Sequence, residues 1–208
     1  MGERDLTARG VSDPAVLAAV GQVPRHRFAT DQDLDSAYAD RPLPIGCSQT
    51  ISQPYMVALM AELLRLRPGD RVLDVGTGSG YAAAVLSTIA GEVWSIERHP
   101  TLATEAAARL EELGYDQVHV VTGDGTRGWP DAAPFDAIAV AASAPDVPVA
   151  LTDQLADGGR MVLPVDHPDD GQDLVVVERR GHDLIRRDVL AVRFVPLVSD
   201  DGTPPADE

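Results

Sequence analysis

Residues able to do chemistry are concentrated in two short stretches of this chain. The first is Leu43-Pro-Ile-Gly-Cys-Ser-Gln-Thr-Ile-Ser-Gln-Pro-Tyr55, where hydroxyls, amides and prolines are packed together with no charged side chain. Such a composition suits a shaped lip over a pocket. The second is the glycine-rich turn Gly76-Thr-Gly-Ser-Gly80, directly after the apolar run at Val72. Small residues there let the backbone approach a ligand, and a helix starting behind them offers free N–H groups. A dinucleotide fingerprint would need Gly or Ala where this chain has Tyr81, and no Gly-Lys-Ser/Thr ending makes a triphosphate loop.

Acids recur along the following strands. Glu97 ends the second expected strand, where a carboxylate can accept hydrogen bonds from both ribose hydroxyls. Asp124, in Gly123-Asp-Gly125, follows the third and can accept from an adenine amine, although Asp between glycines is also simply a turn. Asp74 is polar inside a strand that should be apolar, so it needs a partner: a ligand ammonium or a nearby backbone donor. The set (Asp74, Gly76, Thr77, Gly78, Ser79, Gly80, Glu97, Asp124, Gly125) suits a nucleoside carrying positive charge. S-adenosylmethionine has the matching ribose, adenine, ammonium and sulfonium. No metal site is read from the sequence.

Composition narrows the setting. A length of 208 residues suits one α/β domain with elaborations, and an apolar fraction of 44% supports a real core. The formal net charge is −16, and every basic residue is Arg. A chain so acidic has no broad basic footprint, so nucleic acid is not expected as a partner. An acidic, Lys-free surface fits either a GC-rich genome or adaptation to high salt. No apolar run is long enough to span a bilayer, no secretory signal is read, and a lone cysteine, Cys47, fits a reducing compartment. A cytoplasmic monomer is expected.

These residues must be positioned by regular elements. Residues 1–12 read as frayed. Asp13-Pro14 starts a helix through Val16, Leu17, Val20 and Val23. Residues 29–52 read as irregular, and Pro54 opens a helix running to Leu66. From Arg71 strands and helices alternate: strands at Val72–Val75, Glu92–Glu97, Val118–Thr122, Phe135–Ala141 and Arg160–Val165, with helices to about Ala90, from Pro100 to Gly114 and over Pro148–Ala156. Leu174–Arg179 and Leu184–Val195 read as closing strands, and 199–208 as a disordered acidic tail. The fold class is α/β, doubly wound, with a mostly parallel sheet covered by helices on both faces. One domain, residues 1–198, carries an N-terminal helical lip over 11–66. Ligands of such sheets bind at the carboxyl ends of the strands.

At this level the chain resembles the protein-L-isoaspartate O-methyltransferase family. The resemblance is carried by Leu43–Gly46, Gln49–Tyr55 and Val72–Gly80. Val23-Pro-Arg25 with Phe28, Tyr38–Pro42, Gly123–Gly125, Ala141–Pro145, Gly158–Arg160 and Arg193-Phe-Val-Pro-Leu197 support it, over roughly residues 11–198. It implies a seven-stranded Rossmann-like sheet and S-adenosylmethionine as methyl donor, with S-adenosylhomocysteine as product. It also implies isoaspartyl residues of damaged proteins as acceptor. It makes Ser52 the active-site serine and Thr50, Ile51, Ala141, Ala142 and Pro145 the substrate-binding neighbours. Two departures stand out: Cys47-Ser48 replaces the family's usual Tyr-Gly-like pair, and little lies ahead of Val11.

The residues then imply a mechanism. A carboxylate with a pKa near ~4 is already nucleophilic at neutral pH, so a lip without His, Asp or Glu suffices. Catalysis is expected from alignment, with Ser52 donating a hydrogen bond that aims the carboxylate and Thr50 assisting or capping. Cys47 reads as a small pocket-lining residue. Two alternatives remain at this stage: a carboxyl methyltransferase for Asp in one particular peptide, and a non-catalytic cofactor-binding relative.

Overall fold

The computed structural model describes residues 2–29, 34–169 and 171–199. Contrary to the expected fraying, Glu3–Ala8 forms a short helix, α1, because Leu6 and Val11 are buried against the body of the protein. Helix α2 (Pro14–Gln22) starts as expected: the Asp13 carboxylate accepts from the N–H groups of Ala15 at 2.8 Å and Val16 at 3.4 Å. A 3-10 turn at Arg25–Arg27 and helix α3 (Leu34–Tyr38) follow.

The segment read as irregular contains a hairpin. Strands β1 (Leu43–Gly46) and β2 (Gln49–Ile51) pair antiparallel, with Leu43 opposite Ile51. Both are buried, and this burial overrides the strand-breaking Pro44. Cys47 and Ser48 form the two-residue turn, with φ of 49° and 58°. Positive φ at both central positions is what a two-residue hairpin requires to match the strand twist. Helix α4 (Pro54–Leu64) comes next, its proline at the first turn where no N–H partner is needed.

The main sheet holds β3 (Arg71–Val75), β4 (Glu92–Glu97), β5 (Val118–Thr122), β6 (Phe135–Val140), β7 (Leu155–Asp166), β8 (Gln172–Arg180) and β9 (Asp183–Ala191), in spatial order β5-β4-β3-β6-β7-β8-β9. The first five pair in parallel; β8 is antiparallel to β7 and β9. Helices α5 (Tyr81–Ile89), α6 (Pro100–Glu112) and α7 (Val149–Thr152) connect them. The seven-stranded, mostly parallel α/β sheet agrees with the expected fold class. Helix α7 is shorter than its sequence implied, since β7 already begins at Leu155, and β9 ends at Ala191. The expected tail lies, apart from Ser199, outside the described residues.

Alternation along the strands divides the core. Val72, Ala137, Ala139, Val162 and Val176 join one apolar cluster with residues of α2, α4 and α5. Leu73, Val75, Ile138, Val140, Leu163 and Val175 join the other, with Leu151 of α7 and Leu197. A period of two therefore buries both faces. The chain runs outward from β3 to β5 and returns to β6 on the other side of β3. This topological switch opens a crevice where β3 and β6 end.

Candidate active site

The switch point holds a cavity of about 330 Å³. Its floor is the turn after β3, where Gly76, Gly78 and Gly80 have φ of 96°, 54° and 89°. Two of these glycines are also closely packed. A Cβ at Gly78 would meet Ile45 Cδ1 at 3.2 Å, and one at Gly80 would meet Leu110 Cδ1 at 3.2 Å. Gly80 thus serves the packing of α5 on α6 rather than the cavity wall, whereas Gly76, Thr77, Gly78 and Ser79 line it. The start of α5 brings Tyr81 and Ala82 to the same wall, where the first-turn N–H groups of a helix have no partner within it.

Glu97 closes one side. Its Oε2 accepts from the Gly78 N–H and its Oε1 from the His99 N–H, each at 2.9 Å. Each oxygen keeps acceptor capacity beyond these bonds. The carboxylate is thus fixed, 5% exposed, and turned to the cavity it lines.

Asp74 lies behind this wall and does not line it. Its Oδ2 accepts from Ser95 Oγ at 2.6 Å, and Ser95 Oγ lies 2.6 Å from Thr77 Oγ1, which does face the cavity. Oδ1 is buried without a partner. Burial pushes the Asp74 carboxyl up to about 7, with the nearby Glu97 charge adding to it and the Ser95 hydrogen bond opposing it. Among the described residues its partner is a hydroxyl chain rather than a backbone donor.

Asp124 is likewise outside the lining. It accepts from the Thr126 N–H at 2.9 Å and the Thr126 hydroxyl at 2.6 Å, and lies 3.6 Å from Arg127. This is the turn-capping use of an Asp flanked by glycines. Gly125 does line the cavity, and a Cβ there would sit 2.6 Å from Val75 Cγ1.

The lip covers the other side. Thr50, Ile51 and Ser52 line the cavity. Ser52 sits between two fixed points, the last pair of the hairpin at Ile51 and the start of α4, whose Tyr55 N–H donates to Asp40 Oδ1 at 3.1 Å. Its hydroxyl makes no hydrogen bond among the described residues, so it is available as a donor. Ala141 and Ala142 follow β6 into the cavity, the Ala141 N–H donating to Val75 O at 2.8 Å. Pro145 is further along and does not line it. Cys47, expected in the lining, is exposed at the hairpin turn; Ser48 lines the cavity instead.

Sequence reading missed Tyr81, Arg98, His99 and the segment Val195–Val198 as lining residues. That segment is held by Ser143, whose N–H donates to Val195 O at 2.8 Å and whose carbonyl accepts from the Leu197 N–H at 2.6 Å. Its family-like Phe-Val-Pro-Leu pattern was a signal of place, but apolar side chains announce no chemistry.

The family model for protein-L-isoaspartate(D-aspartate) O-methyltransferase matches residues 4–202. The chain belongs to this family. Among its relatives, protein-L-isoaspartate O-methyltransferase 1 of Rhodopseudomonas palustris strain HaA2 is 56% identical over 203 residues, covering 97% of this chain and 83% of that protein. The protein-L-isoaspartate O-methyltransferase of Anaeromyxobacter dehalogenans is 57% identical over 200 residues, 95% of this chain and 94% of that protein. A solved protein-L-isoaspartate O-methyltransferase superposes with a TM-score of 0.86 at 32% identity, over 93% of this chain and 64% of that longer one. A Plasmodium falciparum protein, described as belonging to the same activity and solved in complex with S-adenosyl-L-homocysteine, superposes with a TM-score of 0.81 at 27% identity, covering 95% and 97% of the two chains.

Proposed function

We infer that this chain transfers the methyl group of S-adenosylmethionine to the carboxylate of L-isoaspartyl residues in damaged proteins, the reaction of its family. The observation that carries the reading is one cavity shared by the Glu97 wall, the glycine turn and the Ser52 lip.

The wall fits the cofactor's chemistry. A fixed carboxylate at Glu97 suits a pair of ribose hydroxyls, and the tight turn at Gly76–Ser79 brings backbone close. Glu97 and the turn at Gly76–Ser79 would hold S-adenosylmethionine, which would supply an electrophilic methyl: the acceptor oxygen would gain the C–O bond as the C–S bond gave its electron pair back to sulfur, with S-adenosylhomocysteine as the leaving product. No proton moves, which agrees with a lip free of His, Asp and Glu. Ser52 donates a hydrogen bond that aims the carboxylate, with Thr50 beside it, while Ile51, Ala141 and Ala142 shape the space. Alignment of this kind contributes on the order of 7–11 kcal/mol in favourable cases.

The deciding experiment offers labelled S-adenosylmethionine to matched peptides containing isoaspartate or normal aspartate. Label should enter the isoaspartyl peptide alone; equal labelling of both, or of neither, would overturn the assignment. The same reading takes the protein to act in the cytoplasm as a monomer, without nucleic acid or membrane. A net charge of −16 supports it against nucleic acid.

A further inference from the structure

A second groove adjoins the cavity and shares Thr50, Ser52, Ala141 and Val195 with it. Because Ser52 lines both, an acceptor whose carboxylate meets Ser52 can lay its neighbouring residues along this groove. Arg9 and Arg193 are the charged side chains among its lining, and no Asp or Glu lines it. The contrast is sharp in a chain with 33 acidic and 17 basic residues.

The two arginines are not equivalent. Arg9 is engaged: it is paired with Asp40, and its guanidinium lies 3.4 Å from the Tyr55 ring centroid. Arg193 is exposed and makes neither a hydrogen bond nor an ion pair through its side chain among the described residues. Its backbone, by contrast, is clamped on both sides by Gln172. The Val192 N–H donates to Gln172 O at 2.8 Å, and the Phe194 N–H donates to Gln172 Oε1 at 2.6 Å. A fixed backbone with an uncommitted guanidinium leaves the charge available to an anion in the groove.

Resting on the methyltransferase reading above, we propose that Arg193 is a specificity-determining residue that makes the acceptor groove favour isoaspartyl segments carrying a second carboxylate, from a neighbouring Asp or Glu. The rest of the surface repels such a segment, but over distances screened within ~8 Å at physiological salt. The contact at the groove acts inside that distance. Exposed pairs of this kind are worth a preference of about 3-fold.

The test uses isoaspartyl peptides of one length in which a single position on either side of the isoaspartate is Glu, Gln or Lys. The readout is the ratio of kcat/KM for the Glu peptide over the Gln peptide. For the natural chain the ratio should be about 3 on at least one side of the isoaspartate, shrinking in 0.5 M KCl. Arg193→Gln should bring it to about 1, and Arg193→Glu should bring it below 1 while raising kcat/KM for the Lys peptide above that for the Gln peptide. Arg187→Gln, an exposed change on β9 outside the groove, should leave it in place. A ratio of one in the natural chain, or an equal drop across all three peptides on removing Arg193, overturns the proposal while methylation itself still proceeds. Failure to methylate every isoaspartyl peptide overturns the parent reading, and this one with it.

Discussion

The Gly78 N–H donates to Glu97 Oε2 at 2.9 Å, binding the middle of the glycine turn to the end of the neighbouring strand. With the His99 N–H on the other oxygen, the carboxylate is aimed before any ligand arrives. Glu97→Gln keeps the shape but turns an amide NH₂ toward one of these backbone donors. The loss of a charge-assisted acceptor costs about 1.5–3 kcal/mol. The dissociation constant for S-adenosylhomocysteine, measured calorimetrically, should therefore rise roughly 10- to 100-fold. Turnover at saturating cofactor should change far less.

Ser52 is expected to separate from Glu97 in its effects. It lines both the cavity and the adjoining groove, and its hydroxyl is uncommitted. Ser52→Ala should leave cofactor affinity unaltered and lower kcat for an isoaspartyl peptide by roughly 10- to 100-fold, the worth of one hydrogen bond to a charged group. Unchanged turnover would remove Ser52 from the mechanism.

Asp74 sets a pH dependence on stability. Its carboxyl is held up to about 7 in the fold, chiefly by burial, against an ordinary value of 3.8. Between those two values the folded chain keeps a proton that the unfolded chain has lost, so this group's contribution falls as pH rises and levels off above about 7. Asp74→Asn removes the ionisable proton and keeps an acceptor for Ser95. The variant should gain stability relative to the natural protein between pH 5 and pH 7, by an amount on the order of a few kcal/mol, with a plateau beyond. Ligand-free thermal melts at pH 5, 6, 7 and 8 measure it; a constant difference across them would refute it.

What could be read from the residues follows from the range of the forces involved. The parallel core from Arg71 to Val165 was legible because each strand is a short apolar run bounded by turn residues, and the helices between carry their own period. The hairpin was not legible, because Pro44 and the Cys47-Ser48 turn both argue against it locally and burial of Leu43 and Ile51 wins. Helix α1 exists through Leu6, which is buried where α1 packs beside α2, a docking that a short polar segment does not announce. In the site, Glu97, the glycine turn and Ser52 stood out because charge, small size and hydroxyl are visible one residue at a time. Asp124 shows the limit: a Gly-Asp-Gly signature fits both a turn cap and a ligand contact, and the Thr126 contacts, which show the cap, could not be read from it.

The hairpin turn is a point of improvable stability. Cys47 and Ser48 both hold positive φ, a region that costs an ordinary L-residue roughly 1–2 kcal/mol and that Asn and Gly occupy more readily. Replacing the pair by Asn-Gly should stabilise the protein by about 1 kcal/mol after allowing for the greater freedom of glycine in the unfolded chain, raising Tm by about 2–4 °C. Because Ser48 lines the cavity, the single variant Cys47→Asn serves as the control that leaves the lining untouched. It should supply part of the gain with cofactor affinity unaltered. A fall in Tm for both variants would mean that the pair is held in place by contacts worth more than its backbone strain.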